Sequence, residues 1–125
     1  MGLTRLCQGF LLIVLALGCS DGVEQGEAGQ EDPVVQGRKL FITTGCNVCH
    51  GNEGRGDGPV ARNLKPKPRD FADLAGYKRG PGLTQIEETI EKGLNSSGGI
   101  MPAFPNLKPE DRRLLALFVQ SLQPK

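Results

Sequence analysis

An all-α fold is the class this sequence predicts. Three segments carry apolar residues at helical spacing, each opens on residues that start helices, and no segment makes a case for a sheet. The first helix is predicted over residues 33–43. Pro33 suits the first helical position, where its missing N–H costs nothing, and Val34, Gly37, Leu40 and Phe41 share one face. Gly37 lowers helix stability by about 1 kcal/mol against Ala, which makes sense where another helix must cross closely. A second helix is predicted to open at Thr84. Thr84-Gln85-Ile86-Glu87 matches a capping box with Thr84 as N-cap. Ile86 and Ile90 form its apolar face, and Gly93 suits its C-terminal stop. The last helix is predicted over residues 109–122. Glu110 and Asp111 sit at the positive end of its dipole, Leu114, Leu117, Phe118 and Leu122 form the expected buried stripe, and Leu115 and Val119 lie beside it.

Between the first two helices lies a stretch dense in chain breakers. Residues 51–73 contain Gly51, Gly54, Gly56, Gly58, Pro59, Pro66 and Pro68, so they read as a long loop with one helical turn near residues 60–64. Loops of that length inside a small domain are uncommon unless they serve a function. Aromatic residues are only 5% of the chain and Trp is absent. A domain of under about 100 residues builds a marginal core unaided. Wrapping a large apolar cofactor would justify the loop and relieve the shortage.

The N-terminal part reads as targeting rather than fold. Residues 1–18 have a signal-peptide pattern, with Arg5 before the unbroken apolar run of residues 10–17. Even counted from Leu6 the run is shorter than the roughly 20 residues a spanning helix needs; an uncleaved anchor is the alternative. Ala16-Leu17-Gly18-Cys19 resembles the bacterial lipobox, although Leu is usual where Ala16 stands and a small residue where Leu17 stands. Cys19 is therefore the expected lipidation site, with an ordinary cleaved signal as the alternative. Diacylglycerol plus an N-terminal acyl chain supplies the two or more chains that stable anchoring needs. Residues 19–32 then form a flexible acidic tether, carrying five acids and no base from Asp21 to Asp32. The domain proper is residues 33–125, with 14 Lys and Arg against 9 Asp and Glu. A basic face of that kind suits an acidic protein partner, and equally reads as a solvated surface. No nucleic-acid partner is expected.

The chemistry is concentrated in Cys46-Asn47-Val48-Cys49-His50, the C-x-x-C-H signature of covalent heme attachment. Two thiols three positions apart add across the two vinyl groups of one heme, and the next residue, His50, reaches the iron on the same face. A thioredoxin-like site would want a βαβ context, a zinc site would want four ligands, and a Cys46–Cys49 disulfide would close a very short loop. With Cys7 and Cys19 assigned to export and anchoring, heme accounts for every cysteine. His50 is the only His in the chain, and Met101 the only Met beyond Met1. Met101 follows Gly98-Gly99-Ile100 and precedes Pro102, a loop suited to bring a thioether to the iron from the other side; filling a core gap is the alternative. His/Met ligation raises the reduction potential and fills both axial positions.

The sequence resembles class I c-type cytochrome domains over nearly all of residues 33–125. The pieces match in order: Gly37-x-x-x-Phe41, Cys46-x-x-Cys49-His50-Gly51, Gly56-Asp57-Gly58-Pro59, Met101-Pro102-Ala103-Phe104 and an apolar C-terminal helix. The run from Cys49 to Phe71 is similar to heme domains of membrane-bound oxidase subunits and of bacterial mono- and diheme cytochromes. The spacing from Phe41 to Cys46 is one residue longer than in many relatives. The resemblance implies an all-α cytochrome c fold, three to five short helices wrapped around one covalently bound heme c. It implies that the first and last helices cross near Gly37 with Phe41 and Phe118 in contact. It also implies a Pro carbonyl accepting the second N–H of the ligand imidazole, and Pro59 fits by its distance from His50. Tyr77, Arg69, Lys78 and Arg79 are candidates to bond the heme propionates. The expected function is one-electron transport with redox protein partners, on the periplasmic face of a bacterial membrane and without substrate chemistry. The alternatives are an electron-entry subunit of a larger dehydrogenase or oxidase, and a heme peroxidase or sensor with an exchangeable sixth ligand.

Overall fold

A computed structural model describes residues 29–95 and 100–125. The expected signal peptide, Cys19 and most of the tether lie outside the described residues, as do Gly98 and Gly99.

Among the described residues four helices follow one another: α1 (Pro33–Thr43), α2 (Asn47–His50), α3 (Leu83–Lys92) and α4 (Pro109–Ser121). Two 3-10 turns, Ala61–Asn63 and Leu74–Gly76, punctuate the segment between α2 and α3. Among the described residues there is no strand, only an isolated antiparallel bridge between Leu94 and Met101. No helix of the described residues is long and apolar enough to cross a membrane.

Helix α1 has the expected bounds, with Pro33 in its first turn. Asp32, read from the sequence as the last residue of the tether, caps it: Oδ1 accepts from the Val34 N–H at 2.7 Å. Such a cap contributes on the order of 1 kcal/mol. Glu31 pairs with Lys39 on the same helix. The helix ends through Gly45, whose φ of +81° turns the chain so that the Cys46 N–H bonds back to the Phe41 carbonyl at 3.0 Å. That turn accommodates the longer spacing ahead of Cys46.

Helix α4 is the packing centre, with α1 on one side and α3 on the other. Gly37 is where α1 meets it: a Cβ there would lie 2.1 Å from the Leu114 carbonyl oxygen and 2.9 Å from Phe118 Cβ. Phe41 and Phe118 meet edge to face with ring centroids 5.1 Å apart, so the expected crossing is present. The buried stripe of α4 is rotated from expectation. Leu115, Ala116, Phe118 and Val119 are buried, while Leu114, Leu117 and Leu122 are only partly covered. A helix gripped by neighbours on two sides buries a broader face than one stripe. Between α3 and α4, Arg113–Glu87 at 2.9 Å and Arg112–Glu91 at 3.3 Å add ion pairs at the rim.

Helix α3 starts one residue before Thr84. Its N-cap is Gly82, without a side-chain capping bond, so the expected capping box is absent and Thr84 lies inside the first turn. Gly93 does end the helix, with φ of +67°. Ile86 and Ile90 are its buried residues, as expected.

Candidate cofactor site

The Cys46–His50 segment is a helical turn. The His50 N–H donates to the Cys46 carbonyl at 3.0 Å, which sets Cys46, Cys49 and His50 along one short surface. The long loop then clasps that turn from outside. Gly56 N–H donates to the His50 carbonyl, Gly58 N–H to Cys49 and Val60 N–H to Val48, at 2.9, 3.2 and 3.2 Å. Gly58 is essential to this approach, because a Cβ would lie 2.3 Å from the Val48 carbonyl oxygen.

A mostly apolar cavity of about 290 Å³ opens beside the turn. Cys46, Cys49 and His50 line it from one end of the sequence, and Met101, Pro102 and Phe104 from the other. Phe41, Phe71, Ile86, Ile90, Leu115 and Val119 supply core walls. Met101 is held by its backbone: its carbonyl accepts the Leu94 N–H at 2.9 Å. Arg69, Tyr77 and Lys78 also line the cavity.

His50 stacks on Phe71, with ring centroids 4.7 Å apart and planes 29° from parallel, and Phe41 approaches at 6.4 Å. Burial pushes its imidazole down to about 4, a shift that the nearby backbone of Arg69 opposes. The ring is therefore neutral at pH 7, with a lone pair free for a metal. Its Nδ1 is buried and has no partner at full hydrogen-bonding geometry. Burial likewise raises the Cys46 thiol to about 11, and Cys46 and Cys49 form no disulfide. Among the described residues no group of three or more His, Cys, Asp or Glu gathers to hold a bare metal ion.

The cytochrome c family model matches residues 34–123. The chain belongs to the cytochrome c family. A CcoP subunit of the cbb3-type cytochrome c oxidase of Helicobacter pylori (strain 52) is 34% identical over 93 residues, covering 73% of this chain and 28% of that protein. A cytochrome c oxidase subunit 2 of Alkalihalophilus pseudofirmus is 29% identical over 126 residues, covering 91% of this chain and 34% of its own length. The chain thus spans about a third or less of these relatives. A chain of the reducing HAO-like protein complex of Kuenenia stuttgartiensis superposes with a TM-score of 0.66 at 34% identity, over 76% of this chain and 46% of that one.

The cofactor of a cytochrome c domain is heme c, and the cavity fits it. The walls are apolar, the adjoining imidazole is neutral, and two buried polar atoms lack partners, His50 Nδ1 and Arg69 Nη1. Arg69 is otherwise well placed: Nη2 donates to the Gly76 carbonyl, and the guanidinium lies 4.5 Å from the centre of the Tyr77 ring. A buried guanidinium N–H without a partner, on a residue that lines the cavity, suits an anionic edge such as a propionate. Tyr77 is half-buried, and its hydroxyl donates to the Phe71 carbonyl at 3.0 Å.

Two residues singled out in the sequence stand elsewhere. Pro59 is exposed and borders a separate shallow hollow with Asn47, Asp57 and Gly58. The loop bonds that clasp the Cys46–His50 turn point it outward, and the backbone beside the imidazole is that of Arg69. Arg79 does not line the cavity. Its Nη1 donates to the Gly93 carbonyl at 2.8 Å, and its Nε lies 3.9 Å from Glu88 Oε1. Phe71, in turn, was not singled out. The one signal available was a large aromatic just after the Pro-rich run in a chain with only five Phe.

Proposed function

We propose that this cytochrome c domain is an electron carrier, with heme c attached through Cys46 and Cys49 and ligated by His50 and Met101. Heme c supplies an iron that alternates between Fe(II) and Fe(III). Cys46 and Cys49 hold the group by thioether bonds. His50 offers a neutral nitrogen, oriented by stacking on Phe71. Met101 offers a thioether sulfur, which favours Fe(II) and raises the potential. Arg69 and Tyr77 line the cavity and would hold the polar edge of the group, Arg69 through its unpartnered Nη1. Ligated by both His50 and Met101, the iron would keep no position for a substrate.

The observation that carries this reading is that the only His of the chain and the only Met beyond Met1 line one apolar cavity together with the C-x-x-C thiols. The first test is covalency. After acid–acetone extraction and denaturing electrophoresis, heme is expected to stay with the polypeptide, and to be lost in a Cys46→Ser, Cys49→Ser variant. Free extraction from the wild type contradicts the thioether assignment.

Export and anchoring belong to the same proposal. Residues 1–18 act as a signal peptide, lipidated Cys19 holds the protein at the periplasmic face of a bacterial membrane, and the acidic tether lets the domain swing between a donor and an acceptor. Fully extended, the tether reaches roughly 40 Å at about 3.3 Å per residue. A second reading is favoured by the relatives: two are oxidase subunits and a third belongs to a multi-protein complex. In that reading the same heme is the electron-entry point of a larger oxidase or dehydrogenase, and the partner is permanent rather than transient.

A further inference from the structure

We propose that Arg79 is a positioning residue for Met101, acting through the carbonyl of Gly93. The inference rests on the reading of Met101 as an axial ligand. Met101 is placed by its backbone rather than by its own helix. Its carbonyl accepts the Leu94 N–H at 2.9 Å, and three residues later the Phe104 N–H donates to the Ile90 carbonyl, also at 2.9 Å. Both anchors lie at the C-terminal end of α3. Gly93 is pressed against the Met101 segment: a Cβ there would lie 2.6 Å from the Met101 carbonyl oxygen and 2.7 Å from the Ala103 nitrogen. The backbone position of Met101 is therefore set by where Gly93 and Leu94 lie.

Gly93 itself needs holding. Its N–H still bonds within the helix, to the Thr89 carbonyl at 2.9 Å, but its φ of +67° and ψ of −171° turn the chain out of α3. Its carbonyl is taken instead by Arg79 Nη1 at 2.8 Å. The guanidinium Nε also lies 3.9 Å from Glu88 Oε1, an oxygen that pairs with Lys92 at 2.8 Å. Arg79 thus spans from the segment before α3 to the residue that ends it. A hydrogen bond from a charged donor is stronger than a neutral one. A thioether is a neutral and weak ligand, so its hold on iron depends on how well the surrounding chain presents it.

The test uses the oxidised holoprotein and reads the weak S–Fe(III) charge-transfer band at the red edge of the visible spectrum while pH is raised until the band is lost. Arg79→Gln is expected to lower the pH of loss by about one unit, a tenfold weakening of Met101 ligation, in keeping with the loss of one charged hydrogen bond. Arg79→Lys keeps one donor and is expected to shift by less than half as much, which also serves if the Gln variant does not fold. Arg113→Gln, which removes an α3–α4 ion pair without touching Gly93, is expected to leave the pH of loss in place. A wild type without the band would overturn Met101 as a ligand and the proposal with it. A wild type with the band, and an Arg79→Gln variant that loses it at the wild-type pH or no earlier than Arg113→Gln, would overturn the positioning role alone.

Discussion

The imidazole of His50 is held by packing, with the backbone of Arg69 nearby. Phe71 stacks on it, and Phe71 is itself tied down, its N–H to the Gly54 carbonyl at 2.8 Å and its carbonyl to the Tyr77 hydroxyl at 3.0 Å. Burial keeps the ring neutral near pH 7, the form a metal ligand requires. Met101, the proposed second ligand, is by contrast placed by backbone pairing. Met101→Ala is expected to abolish the red-edge charge-transfer band and to lower the reduction potential, because thioether sulfur prefers Fe(II); spectroelectrochemical titration of both proteins checks this. The proposed thioether bonds at Cys46 and Cys49 would keep the group in place in that variant, so an unfolded product would count against the assignment. That Cys46, Cys49, His50 and Met101 belong at one cavity was legible because their residue types are scarce and the C-x-x-C-H spacing is distinctive. Pro59, Arg79 and Phe71 were not. Their roles depend on how the Gly- and Pro-rich loop folds back over α2 and on where α3 ends, and neither is encoded in local spacing.

At the scale of elements, α1 was read correctly because a Pro start, an apolar face and a single close contact at Gly37 all act locally. Helix α4 was placed well but rotated, because its buried face answers to α1 and α3 together rather than to one partner. The capping box expected at Thr84 lost to an earlier start at Leu83, where Gly82 needs no side-chain cap to turn the chain into the helix. The α1–α4 crossing makes a sharp prediction. Gly37→Ala would set a Cβ against the Leu114 carbonyl oxygen, a backbone atom that cannot swing aside. Overpacking of this kind costs about 1–3 kcal/mol, against a gain of roughly 1 kcal/mol in helix propensity. A fall of several degrees in the thermal midpoint is expected, with the heme spectrum unchanged because α1 reaches the site only through Phe41. An unchanged midpoint would show that the helices part without cost.

For the whole molecule, one cavity joins the two ends of the domain. The core residues Phe41, Ile86, Leu115 and Val119 are also cavity walls, so the cofactor completes the core of a chain poor in aromatic residues. Under the proposed anchoring, Cys19 sets where that domain works. Mass spectrometry of the mature N-terminus is expected to find acylated Cys19, and an unmodified N-terminus downstream of it would contradict the anchor. The central claim is that both axial positions of the heme are filled by this chain and that it carries electrons without activating small molecules. Exposure of the reduced wild-type protein to carbon monoxide at neutral pH tests it most directly. The spectrum is expected to remain that of a six-coordinate low-spin heme, unchanged by the gas. Rapid formation of a carbon monoxide adduct would show an exchangeable sixth position, remove Met101 from the iron, and favour a peroxidase or sensor over a carrier.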